Sequence, residues 1–161
     1  MTRAPLALAL LLCAVQNAAP EPAPKGVTVV MALLNAAIEY HLDAVLVFQV
    51  AVNESSLRAN CQTWRDGVLT ARGLMQPSVR YQNYLVATYL GWPPASFDWA
   101  NPVHSAKLGC AYLAALVARF GTWGGVAAYN CGPGRMNEWP RHRSLPAETW
   151  VYCHRIFGGA S

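Results

Sequence analysis

The amino-acid sequence predicts a single all-α domain, and three observations lead to that prediction. Of the 161 residues, 54% are hydrophobic and only 12% are charged, which excludes a disordered chain and is enough for a real core. Apolar residues recur with the 3.6-residue period of a helix, and no segment shows the sustained alternation of a half-buried strand. Helix start and stop signals flank these apolar segments.

The N-terminal 26 residues are expected to lie outside this domain. Arg3 precedes an apolar run, LALALLLCAV, that is too short to span a bilayer, so residues 1–19 are predicted to be a signal peptide. The next segment, PEPAPKG at 20–26, is a proline-rich linker. We therefore expect an exported protein of the periplasm or cell envelope, with its domain over residues 27–158 and without stable membrane insertion.

The first half of the domain contains three predicted helices. Apolar residues at helical spacing predict a helix from Val27 to Leu42. Asp43 can cap the next helix, AVLVFQVAVN, which is apolar almost all round and is expected to be buried. A loop with Gly67 and Gly73 follows, and a tyrosine-rich helix is predicted over about 78–90.

The second half continues the helical pattern. Asn101-Pro102 is a strong helix start, an N-cap followed by proline in the first turn, and this helix is expected to end at Gly121. A short helix, GGVAAYN, should stop at a sharp Cys-Gly-Pro-Gly turn. The last helix opens with Pro146 and Glu148 and closes at residues 154–158, with charges that complement the helix dipole.

The cysteines and the charge narrow the class of protein. An even number of cysteines in an exported domain favours two disulfides with three possible pairings, and four buried free thiols are the alternative. The sequence contains no CxxC pair, so a structural zinc site is not expected. No nucleic-acid recognition motif accompanies the formal charge of +4, so nucleic acid is not an expected partner. The cysteines of the domain are Cys61, Cys110, Cys131 and Cys153.

Glu54 is the carboxylate that the pattern singles out. The stretch FQVAVNESSLRAN, residues 48–60, places it at the end of a helix that is expected to be buried. Burial raises the pKa of a carboxyl group and keeps it protonated, as a general acid requires. The structural alternative is a buried glutamate that is satisfied by a backbone or arginine partner.

Three further stretches stand in order with Glu54, and together they resemble a known family. The sequence is similar, over about residues 27–157, to the lytic transglycosylase domain of the soluble, lysozyme-like type. The residues that carry the resemblance are Glu54-Ser55-Ser56, Gly73-Leu74-Met75-Gln76, Ala128-Tyr129-Asn130 with Gly132-Pro133-Gly134, and Leu145-Pro146 with Glu148-Thr149 and Tyr152.

The resemblance implies a lysozyme-like fold, as in soluble lytic transglycosylases and goose-type lysozymes, with a cleft for peptidoglycan glycan strands. Glu54 matches the catalytic glutamate, and Ser56 is expected to support it through a hydrogen bond. The other residues carried over as substrate-binding are Met75, Gln76, Tyr129, Asn130, Glu148 and Tyr152. The resemblance implies no metal and no cofactor.

The implied reaction cleaves the β-1,4 bond between N-acetylmuramic acid and N-acetylglucosamine and leaves a 1,6-anhydro end. A goose-type lysozyme-like hydrolase is the nearest alternative, with Asp66 as the second carboxylate. A non-catalytic secreted glycan-binding module is another. Such a domain is compatible with wall turnover, with phage infection, and with wall opening for a secretion or conjugation apparatus.

Overall fold

The computed structural model describes residues 28–142 and 144–158, without the side chains of residues 140–142. The predicted signal peptide (1–19) and linker (20–26) lie outside the described residues. Within them, the all-α prediction is confirmed, since six helices surround one main core and two short strands are the only sheet.

The first two helices pack against each other, and the second has Glu54 in its last turn. Helix α1 (Val29–Glu39) leads to Asp43, whose carboxylate accepts a 2.8 Å hydrogen bond from the Leu46 N–H and caps α2 (Ala44–Ser55) as predicted. Only one face of α2 is buried, however, because Val45 and Val52 on the outer face are 64% and 48% exposed. The expectation of a helix buried all round was therefore wrong, since no element covers that outer face within the described residues.

The expected glycine loop contains an antiparallel hairpin, with β1 (Gln62–Arg65) paired to β2 (Val68–Arg72). Asp66 and Gly67 form its two-residue turn, both with positive φ (49° and 74°), as a type I′ turn requires. The Asp-Gly pair is itself a hairpin signal in the sequence. The strands escaped prediction because neither has a buried face, so they show no alternation of apolar and polar residues.

The tyrosine-rich segment is shorter and less regular than predicted. Helix α3 (Gln82–Leu85) begins four residues later than expected and continues as a π-helical turn, Val86–Leu90, that ends at Gly91. A 3₁₀ turn, Pro94–Ser96, follows. The buried side chains of this region form a second small core with α4: Leu85, Val86, Leu90, Trp92, Leu108 and Ala111.

Helix α4 (Pro102–Cys131) is the central element of the fold. Asn101 caps it by accepting a 2.9 Å bond from the Val103 N–H, and Gly121 interrupts it with a φ of 72°, so the predicted start and the predicted break are confirmed. By length and composition α4 could cross a membrane, but 44% of its most apolar window is buried inside the fold. Its apolar residues thus serve the core.

Two helices complete the described chain. Helix α5 (Pro133–His142) begins inside the predicted Cys-Gly-Pro-Gly turn, at its proline, and was not expected, although proline is favoured at a first helical position. Helix α6 (Ala147–Phe157) follows Pro146, with Glu148 in its first turn and His154 in its last, as predicted. It packs against both α2 and α4.

The expected disulfides are not formed in the structure, because Cys61, Cys110, Cys131 and Cys153 are all free thiols. Two of these sulfur atoms lie beside other side chains. The Cys110 sulfur lies 4.0 Å from the Met75 sulfur in the core, and the Cys61 sulfur lies 3.7 Å from a guanidinium nitrogen of Arg58.

Candidate active site

Glu54 and Tyr152 meet where the last turn of α2 faces the middle of α6. The Tyr152 hydroxyl donates a 2.6 Å hydrogen bond to Oε1 of Glu54, across 98 residues of sequence. Burial raises the pKa of Glu54 from 4.5 to about 7, and the bond from Tyr152 opposes this shift in part. Glu54 therefore titrates near neutral pH, which suits a group that must both give and take a proton.

Tyr129, from the last third of α4, joins this centre to the loop after β2. Its hydroxyl donates a 2.8 Å hydrogen bond to the backbone carbonyl of Met75. Burial and the nearby charge of Glu54 hold the pKa of Tyr129 well above its ordinary value, so this phenol stays protonated and keeps its donor. Helix α4 thereby fixes the position of the 73–76 loop beside Glu54.

The loop over residues 73–76 is held by a residue that the sequence did not indicate. The side chain of Ser105, fully buried on α4, accepts bonds from the N–H groups of Leu74 (2.8 Å) and Met75 (3.4 Å). Gly73 has a φ of 91°, and a Cβ there would lie 2.7 Å from the Ser105 hydroxyl. The only sequence signal for Ser105 is a hydroxyl near the start of a helix, among residues of its apolar face.

The side chain of Met75 lies in the core and does not face a cleft. It is 0% exposed and packs so closely on α4 that a Cβ at Gly109 would collide with its sulfur. Met75 contributes its backbone carbonyl to the site, as the acceptor of the bond from Tyr129. The substrate-binding role that the resemblance implies for Met75 stays a prediction.

Gln76 uses its whole amide group inside the protein. Thr63 on β1 donates a 2.7 Å bond to the Gln76 Oε1, and Nε2 donates to the carbonyls of Gly73 (2.7 Å) and Cys61 (3.2 Å). The backbone of Gln76 is also left-handed, with a φ of 51°. These contacts tie the hairpin to the loop, so Gln76 supports the shape of the site, and the direct contact with substrate expected of it stays a prediction.

Asn130 and Thr149 connect α4 to α6. The Thr149 hydroxyl donates a 2.8 Å hydrogen bond to Oδ1 of Asn130, and Thr149 itself is fully buried. Because Thr149 lies three residues before Tyr152 on one face of α6, this bond sets the position of the tyrosine that contacts Glu54.

Two predicted site residues lie elsewhere. Ser56 is exposed in the left-handed position that ends α2, and its expected role beside Glu54 stays a prediction. The neighbouring Ser55 is buried, and its hydroxyl donates to the Ala51 carbonyl. Glu148 is exposed in the first turn of α6. Among the described residues it makes no side-chain hydrogen bond, and its role toward substrate stays a prediction.

Asp66, the candidate second carboxylate, is exposed in the turn of the hairpin. The raised pKa of Glu54 comes from burial, with the opposing bond from Tyr152, and Asp66 has no part in it. Over residues 28–142 and 144–158, no three histidine, cysteine or acidic side chains are grouped closely enough to hold a metal ion.

Comparison with known proteins identifies the class. The family model described as the transglycosylase SLT domain matches residues 31–149, which is most of the chain, and the chain therefore belongs to that family. A solved structure with the same fold is the lytic transglycosylase Slt of Pseudomonas aeruginosa, determined as an inactive glutamate-to-glutamine mutant. It shares 27% identity at a TM-score of 0.59, over 79% of this chain and 20% of that one. A search of curated proteins finds no match.

Proposed function

We propose that the protein is a peptidoglycan lytic transglycosylase that uses Glu54 as its single catalytic acid and base. The observation that carries this proposal is the Glu54 carboxyl group, raised in pKa to about 7 and held at 2.6 Å by Tyr152, in a chain of the transglycosylase SLT family. The inactive glutamate-to-glutamine mutant of the Pseudomonas aeruginosa Slt supports the choice of a glutamate.

The proposed reaction needs one carboxyl group in two roles. Protonated Glu54 gives its proton to the glycosidic oxygen between N-acetylmuramic acid and N-acetylglucosamine, and the bond from the muramic acid C1 to that oxygen breaks. The acetamido oxygen of the muramic acid stabilises the positive charge at C1. Ionised Glu54 then takes the proton of the C6 hydroxyl, whose oxygen closes on C1. The 1,6-anhydro ring forms without net consumption of water.

The hydrogen bond from Tyr152 supports both roles of Glu54, as proton donor and as proton acceptor. The bond is strongest when Glu54 is ionised, because a phenol donates more strongly to a carboxylate than to a neutral acid. Tyr152 thus stabilises the ionised form halfway through the cycle, while burial favours the protonated form at the start. A pKa of about 7 is the balance of these two effects, and it keeps both proton transfers accessible near neutral pH.

A hydrolase that uses Asp66 as a second base is the alternative, and the position of Asp66 at an exposed turn argues against it. A retaining or inverting pair needs its carboxyl groups fixed on either side of the scissile bond. An exposed turn residue without a recorded side-chain partner is not fixed in this way. We further propose that the protein is exported and acts in the cell envelope, where its substrate lies.

Mass spectrometry of the products tests the proposed reaction. Purified peptidoglycan is treated with the protein, with Glu54→Gln, and with Glu39→Gln as a control at an exposed glutamate outside the site. We expect fragments with 1,6-anhydro-muramic acid ends from the protein and from Glu39→Gln, and none from Glu54→Gln. Reducing ends, one water heavier, would establish the hydrolase instead. If no fragments are released in a Glu54-dependent way, the non-catalytic glycan-binding module would be the remaining interpretation.

A further inference from the structure

A cluster of three tryptophan rings lies at the surface where α4, α5 and α6 meet. The ring centre of Trp123 lies 5.1 Å from that of Trp150 and 5.7 Å from that of Trp139, and 6.5 Å separates Trp139 from Trp150. Trp150 is 48% exposed, whereas Trp123 and Trp139 are partly buried against the core. We call these three residues the tryptophan surface. Tryptophan side chains that stay partly accessible, as Trp150 does, are enriched at interaction sites.

The tryptophan surface is separate from the active site. Trp150 and Tyr152 are two residues apart on α6, so their side chains leave the helix about 200° apart around its axis. Tyr152 is buried toward α2 and bonds Glu54, while Trp150 contacts the tryptophans of α4 and α5. A ligand on the tryptophan surface would therefore lie on a different flank of α6 from the bond being cleaved.

A depression beside Trp139 adds polar groups to this surface. It has a volume of about 330 Å³ and lies between α5 and the start of α6. Arg135 offers only hydrogen-bond donors, Glu138 only acceptors when ionised, and Ser144 both. The remaining walls are apolar or aromatic, and the lining residues are Arg135, Glu138, Trp139, Ser144, Leu145 and Pro146.

We propose that the tryptophan surface and this depression bind a peptidoglycan glycan strand away from the cleaved bond. The C–H face of a pyranose ring packs on an aromatic face, while its hydroxyl and acetamido groups need both donors and acceptors at the rim. The Arg135 guanidinium is complementary to the free carboxylates of the peptide stem, which is attached to muramic acid through an amide bond. The identity of the polymer rests on the proposed function.

The chemistry of the surface favours a glycan over an anionic membrane. Binding to an anionic membrane needs a cluster of basic side chains beside the apolar area that enters the headgroup layer. The depression has one basic side chain, Arg135, which Glu138 balances, whereas a glycan needs acceptors as well as donors. The consequence is avidity, since a second contact keeps the enzyme on an insoluble polymer between cleavage events.

Sedimentation with purified insoluble peptidoglycan tests this proposal in the full chain carrying Glu54→Gln, which prevents digestion. We expect Trp150→Ala to weaken binding at least about fivefold and Arg135→Ala at least about threefold. Ile38→Ala, which removes an apolar side chain that is 66% exposed on α1, should leave binding within about twofold. Arg135 is exposed and makes no side-chain hydrogen bond or ion pair within the described residues, so its variant remains informative if Trp150→Ala folds poorly.

With Glu54 intact, the two variants should lose turnover of insoluble peptidoglycan but keep turnover of a short soluble glycan fragment within about twofold. Unchanged sedimentation would overturn the proposal, as would an equal loss on both substrates, which would place the residues in the catalytic machinery. Binding to anionic phospholipid vesicles that falls in both variants, with peptidoglycan binding intact, would also overturn it. Failure of the proposed function is distinguishable, because turnover would then be absent from the unaltered protein or would not depend on Glu54.

Discussion

The end of α2 and the 73–76 loop lie side by side in the candidate site, but their polar groups differ in how many hydrogen bonds they make within the protein. Gln76 makes three hydrogen bonds within the protein, and the loop N–H groups of Leu74 and Met75 are both accepted by Ser105. Glu54 has a single recorded side-chain partner, the hydroxyl of Tyr152. These polar groups of the loop all have hydrogen-bond partners within the protein, whereas the Glu54 carboxyl group can still form hydrogen bonds with a ligand.

This difference is what the proposed roles require, with Glu54 as the reacting group and the 73–76 loop as its support. A carboxyl group saturated by internal donors would be held ionised with a low pKa, and it could not give a proton at neutral pH. A loop with unsatisfied amides would instead lose its shape, since buried polar groups without partners are costly. In the proposed site, Glu54 at the end of α2 reacts, and the internally bonded 73–76 loop holds its surroundings in place.

The largest effect is expected at the reacting group. Glu54→Gln removes the proton that is transferred, so turnover should fall by about 10²–10⁴-fold, the usual contribution of general acid–base catalysis. In the unaltered protein, turnover should decline as the pH rises through about 7, where Glu54 loses its proton. A pH–rate profile and a comparison of rates measure both effects. A residual rate above about a tenth would contradict the assignment.

Glu54→Gln should also change how stability depends on pH. Because the folded pKa of Glu54, about 7, lies above its ordinary 4.5, the stabilisation from its proton is fully present below pH 4.5 and is lost as the pH rises through about 7. The variant should lack this part of the decline. Urea unfolding at several pH values measures it, and identical pH dependence in both proteins would contradict the assigned pKa.

The next effect is expected in the 73–76 loop. Gln76→Ala removes three internal hydrogen bonds, so the free energy of unfolding should fall by about 2–4 kcal/mol. Gln76→Gly removes the same three hydrogen bonds, but glycine adopts the left-handed backbone without strain. Its loss in free energy of unfolding should therefore be smaller than that of Gln76→Ala by up to about 1 kcal/mol. Denaturant unfolding compares the two variants. A loss in turnover without any loss in stability would return Gln76 to direct substrate contact.

A smaller loss of stability is expected at the residue that supports the loop. Ser105→Ala leaves the buried N–H groups of Leu74 and Met75 without their acceptor, which should lower the free energy of unfolding by about 1–3 kcal/mol. The matched change Ser56→Ala, at an exposed helix end, should stay within about 0.5 kcal/mol. Equal effects of the two changes would show that Ser105 does not hold the loop.

The smallest effect is expected from Tyr152→Phe, and it concerns pH rather than overall rate. The Tyr152 hydroxyl lowers the pKa of Glu54, so its loss should raise that pKa further and move the high-pH decline of turnover to higher pH. Tyr129→Phe is the control, since its hydroxyl bonds the Met75 carbonyl and not Glu54. A decline that stays in place or moves to lower pH would contradict the role of Tyr152.

Much of the fold could be predicted from local patterns. The caps Asp43 and Asn101, the break at Gly121 and the limits of α6 were predicted because each depends on residues within one or two helical turns. The hairpin was missed because its strands lack a buried face, although the Asp66-Gly67 turn was visible in the sequence. Helix α5 was missed because its first two residues, Pro133 and Gly134, were interpreted as the second half of a turn.

The sequence by itself determined that Glu54, Tyr129, Asn130 and Tyr152 belong to one site, because their order and spacing match a family. Only the tertiary structure decided what each does. It placed the Met75 side chain in the core and engaged the Gln76 amide internally, and it brought in Ser105 from α4. Hydrogen bonds such as that from Tyr152 to Glu54 join residues 98 apart, and the pKa of a carboxyl group depends on such contacts and on burial rather than on its sequence neighbours.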